Sequence, residues 1–275
     1  MFTSYGRRQV PHDNAKGKKG SSLKVGRKIV CTGRGGTGKT TFVALLTKYL
    51  PHPLLVDADS DQNLADMLGV DLGEEGIRTI SEVLFDIQKE RSYEELSSLP
   101  LPEKIEYLLN TSCLYESERF DIISIGVKWT KGCYCMPNNV LRSIIPKMAD
   151  SYEYTIIDSP GGLEHLNRRV VSEVDDIFVI LDPSRKALKN VERMRKIASE
   201  IGIRFSNLYL IANYRFKEDV EEYIQDIGDY LGKIEYDPLL EKYSWSGKSL
   251  LELPSNSPAL SSVEKILKRA GYKLR

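Results

Sequence analysis

The sequence predicts an α/β fold: a doubly wound, mainly parallel sheet with helices on both faces. Three observations predict it. Short apolar runs alternate with helical patterns from residue 27 onward. A Gly-rich loop joins the first run to the first helix. Acidic motifs follow the second run and the run at 154–158. Strands of this kind, separated by helix-length segments, must run parallel and be covered on both faces by their crossovers.

The elements follow in order. RKIVCTG (27–33) reads as a buried strand, and KTTFVALLTKYL continues it as a helix. PLLVDAD is the next strand, while QNLADMLG and TISEVLFDIQKE carry helical spacing. FDIISIG (120–126) is a strand, NNVLRSIIPKMADS a helix and YTIIDSP (154–160) a strand. DDIFVILDPS leads into a helix over ALKNVERMRKIASEIG, then the strand NLYLIANY. A helix is expected over 217–230 and a short strand over GKIEYDP (232–238). SPALSSVEKILKRAG closes as a helix that starts on Ser-Pro and stops at Gly271.

Composition sets limits. The chain has 275 residues, enough for one large α/β domain, expected over 27–275. Residues 1–26 read as a disordered basic arm holding Arg7, Arg8, Lys16, Lys18, Lys19 and Lys24. Lys+Arg and Asp+Glu both total 39, so charge gives no reason to expect nucleic acid or an acidic membrane as partner. No run approaches the roughly 18 apolar residues of a membrane span, and MFTSYGRRQV has no apolar leader segment. Four cysteines do not make a disulfide scaffold, so a reducing cytoplasm is expected.

GRGGTGKT (33–40) fits G-x-x-x-x-G-K-[ST] in full. Gly33, Gly35, Gly36 and Gly38 permit unusual backbone angles and let N–H groups face an anion at a helix N-terminus. Lys39 is placed for the β- and γ-phosphates, and the Thr40 hydroxyl for Mg²⁺. Gly33, Gly35 and Gly38 also spell G-x-G-x-x-G, with Asp57 19 residues beyond Gly38. The Lys-Thr pair has no role at a dinucleotide pyrophosphate and points to a nucleoside triphosphate. LLVDADSDQNL (54–64) and YTIIDSPGG (154–162) then place Asp57, Asp59 and Asp158 at strand ends, where ligands bind in open α/β sheets.

The loop GRGGTGKTT resembles the deviant Walker A loop of the MinD/ParA and nitrogenase-iron-protein class of dimeric ATPases, which carries Lys where Arg34 stands. The resemblance implies ATP/ADP and Mg²⁺ bound by residues 33–41, Thr41 included, and an ATP- and metal-dependent homodimer. It implies Lys39, Asp59 and Arg34 as catalytic residues, with Arg34 reaching the partner's nucleotide and Asp59 orienting the attacking water. Asp57 is implied near Mg²⁺, Asp158 as its holder through water, and Pro160 among the nucleotide-binding residues, while the Gly161 and Gly162 backbones can approach the γ-phosphate. Asn213 matches the residue that reads adenine, although a strand-terminal Asn also serves as a plain turn residue. Pro238, in YDPLL, matches a loop that packs on the base.

KGCYCMP (131–137) holds Cys133 and Cys135, half of a tetrahedral soft-metal site or two incidental thiols. GCYCMPNNVLRSII resembles the corresponding stretch of the CooC-type ATPases, which assist nickel insertion into carbon monoxide dehydrogenase. That resemblance implies a Zn²⁺ or Ni²⁺ shared by the C-x-C pairs of two subunits and a nickel metalloenzyme client. No nucleic acid partner is expected from the balanced charge, and no membrane partner because the apolar face of SSVEKILKRAGYKLR is thin. Two alternatives stay open: a MinD/ParA-like positioning ATPase, and a nucleotide-sensing adaptor with little turnover. Cys31 and Cys113 read as structural.

Overall fold

The computed structural model describes residues 26–59, 61–88, 98–126, 146–160, 173–201 and 203–275. Cys133, Cys135, Gly161 and Gly162 lie outside the described residues, as does the basic arm except Gly26. Gly26 is buried, with the carbonyl oxygens of Tyr152 and Ala149 so near that a Cβ would crowd them. Of the helix expected over 138–151, residues 146–151 are described: 146–149 are helical, and Asp150 and Ser151 already lie in the turn that follows.

Among the described residues, eight strands form one sheet: β1 Arg27–Gly33, β2 Leu54–Asp57, β3 Leu114–Glu116, β4 Asp121–Ser124, β5 Tyr154–Asp158, β6 Glu173–Leu181, β7 Arg204–Ala212 and β8 Asp229–Lys233. Their order is β3-β4-β2-β5-β1-β6-β7-β8. Every neighbouring pair is parallel except β3–β4. The helices are α1 Lys39–Thr47, α2 Asn63–Met67, α3 Ile80–Gln88, α4 Leu101–Leu108, α5 Arg185–Ile201, α6 Glu218–Gln225, α7 Pro238–Ser246 and α8 Pro258–Arg269.

Strand side chains alternate between two cores, as the period of two requires. Val30, Val56, Ile157, Val179 and Leu210 point to one face, where Val83 of α3, Leu108 of α4, Val191 and Met194 of α5 and Ile224 of α6 cover them. Ile29, Cys31, Leu55, Ile156, Phe178 and Ile180 point to the other, beneath Phe42 and Leu45 of α1 and Val263, Ile266 and Leu267 of α8. Both sheet faces are thus buried, which is why the strands read as continuous apolar runs. Cys31 and Cys113 are free, fully buried thiols. Burial pushes the Cys113 thiol up to about 12, and Cys31 rises for the same reason, so both behave as small apolar residues.

Two expectations are corrected. The helix expected over 217–230 ends at Gln225, because Asp229 already pairs with Tyr209 at the start of β8. The strand expected over 232–238 accordingly begins at Asp229 and ends at Lys233. One further ladder bond, Ile234 N–H to the Ala212 carbonyl (2.9 Å), precedes the turn into α7.

Candidate nucleotide site

The site lies along the carboxyl ends of three adjacent central strands. β1 ends in the glycine loop, and its neighbour β5 ends in Asp158. β2, on the far side of β5, ends in Asp57, in register with Asp158. Chain order would not place the acids beside the loop; the crossovers do.

The loop is shaped by its glycines. Gly33 has φ +148°, and a Cβ there would stand 2.4 Å from the Ile180 carbonyl oxygen of β6. Only glycine lets β1 leave the sheet at this point. Gly36 (φ +72°) and Gly38 (φ +96°) also need glycine, and nothing lies within 4 Å of where their Cβ atoms would be. That open concavity, at the N-terminus of α1, has the form of an anion cradle. Thr37 is buried and donates its hydroxyl to the Arg34 carbonyl (2.9 Å). Lys39 is buried, and its Nζ donates to the same carbonyl (3.2 Å), so the ammonium is parked on the loop itself. The Thr41 hydroxyl contacts Met67 Sδ of α2 (3.9 Å).

Arg34 is anchored within its own chain. Its guanidinium donates to Asp182 Oδ2 (2.9 Å) and Ser184 Oγ (3.1 Å), at the end of β6 and the start of α5. It is still partly exposed.

The two buried acids carry the electrostatics. Asp57 accepts the N–H groups of Asp59 (3.1 Å) and Leu64 (3.2 Å), which folds the segment after β2 back on its strand. Asp59 Oδ1 caps the next turn by accepting the N–H of Asp61 (3.2 Å). Gln62 holds a left-handed φ of +52° in this tight segment. Burial, and then the neighbouring Asp158, push Asp57 up to about 7. Burial pushes Asp158 up to about 6, although Thr40 and Lys39 favour its ionised form. Thr40 lies close, yet neither Asp158 oxygen completes a hydrogen bond of ordinary geometry. Two buried carboxylate oxygens without a donor call for a proton or a cation. Asp158 and the Thr40 hydroxyl are hard oxygen donors that suit Mg²⁺. Among the described residues, no group of three or more His, Cys, Asp or Glu side chains converges as a self-sufficient metal site.

Beside the loop opens a cavity of about 280 Å³, lined by Gly36–Gly38 and Thr41, by Asn213–Arg215 after β7, by Ile234–Asp237, and by one face of α7. Asn213 is buried; its amide donates to the Thr37 carbonyl (3.4 Å) and its Oδ1 accepts Arg215 N–H (3.1 Å). Pro160, two residues after Asp158, is buried.

Residues 27–208 match the AAA_31 family, an AAA domain. The chain belongs to that family. An uncharacterized ATP-binding protein of Methanocaldococcus jannaschii is 34% identical over 88% of this chain and 97% of its own length. The carbon monoxide dehydrogenase accessory protein CooC of Rhodospirillum rubrum is 25% identical, over 84% of this chain and 91% of CooC. The septum site-determining protein MinD of Pyrococcus horikoshii, solved with Mg-ADP, shares the fold with a TM-score of 0.61. Its identity is 22%, over 89% of this chain and 95% of MinD. The AAA_31 chain is thus homologous to the MinD/ParA/CooC class of ATPases. No helix among the described residues is long and apolar enough to cross a membrane.

The fold brings Asp57 and Asp158 side by side at the strand ends next to the loop, folds Asp59 back on Asp57, and sets Asn213 against Thr37 and the cavity beside the loop. It leaves Pro238 out: that residue is exposed at the first turn of α7, and Tyr236, Asp237 and Leu240 line the cavity instead. Sequence reasoning missed Asp182, Tyr214, Tyr236 and Trp245. The aromatics had a signal, standing directly after a strand-terminal Asn, before a Pro helix start and near that helix's end.

Proposed function

We propose that the protein is a Mg²⁺-dependent ATPase that works as a homodimer and couples ATP turnover to metal handling at Cys133 and Cys135. It would serve as a maturation factor for a nickel enzyme such as carbon monoxide dehydrogenase. One observation carries the ATPase reading: buried Asp158, whose oxygens have the Thr40 hydroxyl close by but complete no hydrogen bond of ordinary geometry, beside an open glycine cradle and the Lys39 ammonium. When bound, Mg-ATP supplies the phosphoanhydride and a cation that neutralises charge on it. Lys39 exchanges the Arg34 carbonyl for phosphate oxygens. Asp59, held beside Asp57 by the folded-back segment, would orient the attacking water. Arg34 must leave Asp182 before it can serve any phosphate, in its own subunit or in a second one.

The metal-handling part is supported by the C-x-C pair and by the similarity to CooC along most of both chains. Metal analysis of the purified protein, with and without ATP, tests it. One Zn²⁺ or Ni²⁺ per two chains, lost in Cys133→Ser/Cys135→Ser, is expected. One metal per chain, or full retention in the double variant, would overturn the shared site. Metal-free protein that sediments with liposomes or DNA only in ATP would point to a positioning ATPase instead.

A further inference from the structure

Helix α7 is unusual for an element of this fold because none of its residues is fully buried. Leu239, Leu240 and Tyr243 rest against the core from the helix's inner side, and its outer end carries no core contact at Trp245. Its root is fixed. Asp237 caps it by accepting Leu239 N–H (2.9 Å), and Ser257, itself the cap of α8, donates to the other oxygen of Asp237. Its far end stops at Gly247, in the left-handed region at φ +65°. Near that end stands Trp245, 92% exposed. An indole left almost wholly in water forgoes a large hydrophobic gain, which makes it informative where a lone exposed Leu is not.

Trp245 lines the cavity beside the glycine loop. It also borders a second cavity of about 520 Å³, towards α2. The indole therefore has open space on two sides. Across the first cavity stand Tyr214 and Tyr236, each about half exposed, with ring centroids 5.5 Å apart and planes tilted by 48°. Both are held. The Arg215 guanidinium lies over the Tyr214 ring (5.4 Å) and donates to its hydroxyl (3.2 Å). Tyr236 lies beside the Glu241 carboxylate. Three aromatic side chains thus ring a slot whose inner end is the phosphate cradle. Tyr214 and Tyr236 each have a charged neighbour, and Trp245 packs on no core residue. The polar groups at the inner end are already engaged: the Asn213 amide within the loop, Asp237 in two helix caps.

We infer that Trp245 is a nucleotide-binding residue of this chain, which folds over the base and stacks it against the Tyr214–Tyr236 side of the slot. The inference rests on the nucleotide reading given above. Stacking on aromatic faces is a large part of the affinity for a base wherever such faces are offered. Closing Trp245 on a planar ring also removes from water the indole surface that the free protein exposes.

The test is calorimetric binding to the full chain of a Mg²⁺ complex of a non-hydrolysable ATP analogue and, separately, of Mg-tripolyphosphate, which has the phosphates but no base. Trp245→Ala removes a side chain that packs on no core, so the variant is expected to fold as the parent does. It is predicted to weaken the ATP analogue by about tenfold or more and to leave tripolyphosphate unchanged. Trp245→Phe, which keeps an aromatic face, should recover most of the loss. If Trp245→Ala binds the ATP analogue as tightly as the parent, the inference fails while the nucleotide site stands. Equal weakening of tripolyphosphate would also overturn it, since the effect would then not lie at the base. If the parent binds neither ligand, the nucleotide reading itself fails.

Discussion

Asp158 is the residue on which the electrostatics turn. Its folded pKa of about 6 lies above the ordinary carboxylate value, so the folded state holds the proton more tightly than the unfolded chain. The sign is opposite to that of a salt-bridged Asp. The nucleotide-free protein is at its most stable, in this respect, below the ordinary pKa near 4, and loses stability as the pH rises towards 6. Asp158→Asn removes that loss. It should raise the stability of the nucleotide-free protein by about 2 kcal/mol at pH 8 and by almost nothing at pH 4, as read by urea unfolding. The same variant should forfeit stabilisation by Mg-ADP. A variant that is less stable than the parent at pH 8 would show that Asp158 has protein partners. Gly33 makes a second residue-level prediction. Its Ala variant forces a methyl against the Ile180 carbonyl at a positive φ, and should lose about 1–3 kcal/mol in the same measurement.

At the scale of elements, Ser257 and Asp237 stitch the starts of α7 and α8 together. Ser257→Ala removes one cap and leaves a buried Asp237 oxygen without its donor, and should cost about 1–2 kcal/mol of unfolding free energy, whereas Ser257→Asp would set two carboxylates in contact and cost more. Legibility also divides here. β1, β2 and β5 were readable because they are buried on both faces and so are uniformly apolar. α8 was readable from Ser257, Pro258 and Gly271. α7 carries equivalent signals in Asp237, Pro238 and Gly247, but YDPLL was read as a loop because the resemblance assigned it to the base. α4 has a Pro in its first turn and was passed over. β3 has three residues, too few for any period, and owes its existence to pairing with β4.

At the scale of the whole molecule, the motifs gave the list of site residues, and strand order made them a site. Asp57 and Asp158 are neighbours because β2 and β5 pair in register, across a sequence gap that no local pattern spans. The Arg34–Asp182 pair was not legible for the same reason: it joins the loop after β1 to the end of β6. The aromatic slot likewise gathers residues from three separate segments. On the proposed function, this assembly binds Mg-ATP and turns it over. Phosphate release by the purified full chain, followed against Mg²⁺ concentration, tests this most directly. Turnover should saturate with Mg²⁺, vanish in a chelator, and fall to background in Lys39→Ala and in Asp59→Ala. A parent protein that binds ATP without Mg²⁺-dependent turnover, or an Asp59→Ala variant with unchanged rate, would contradict it.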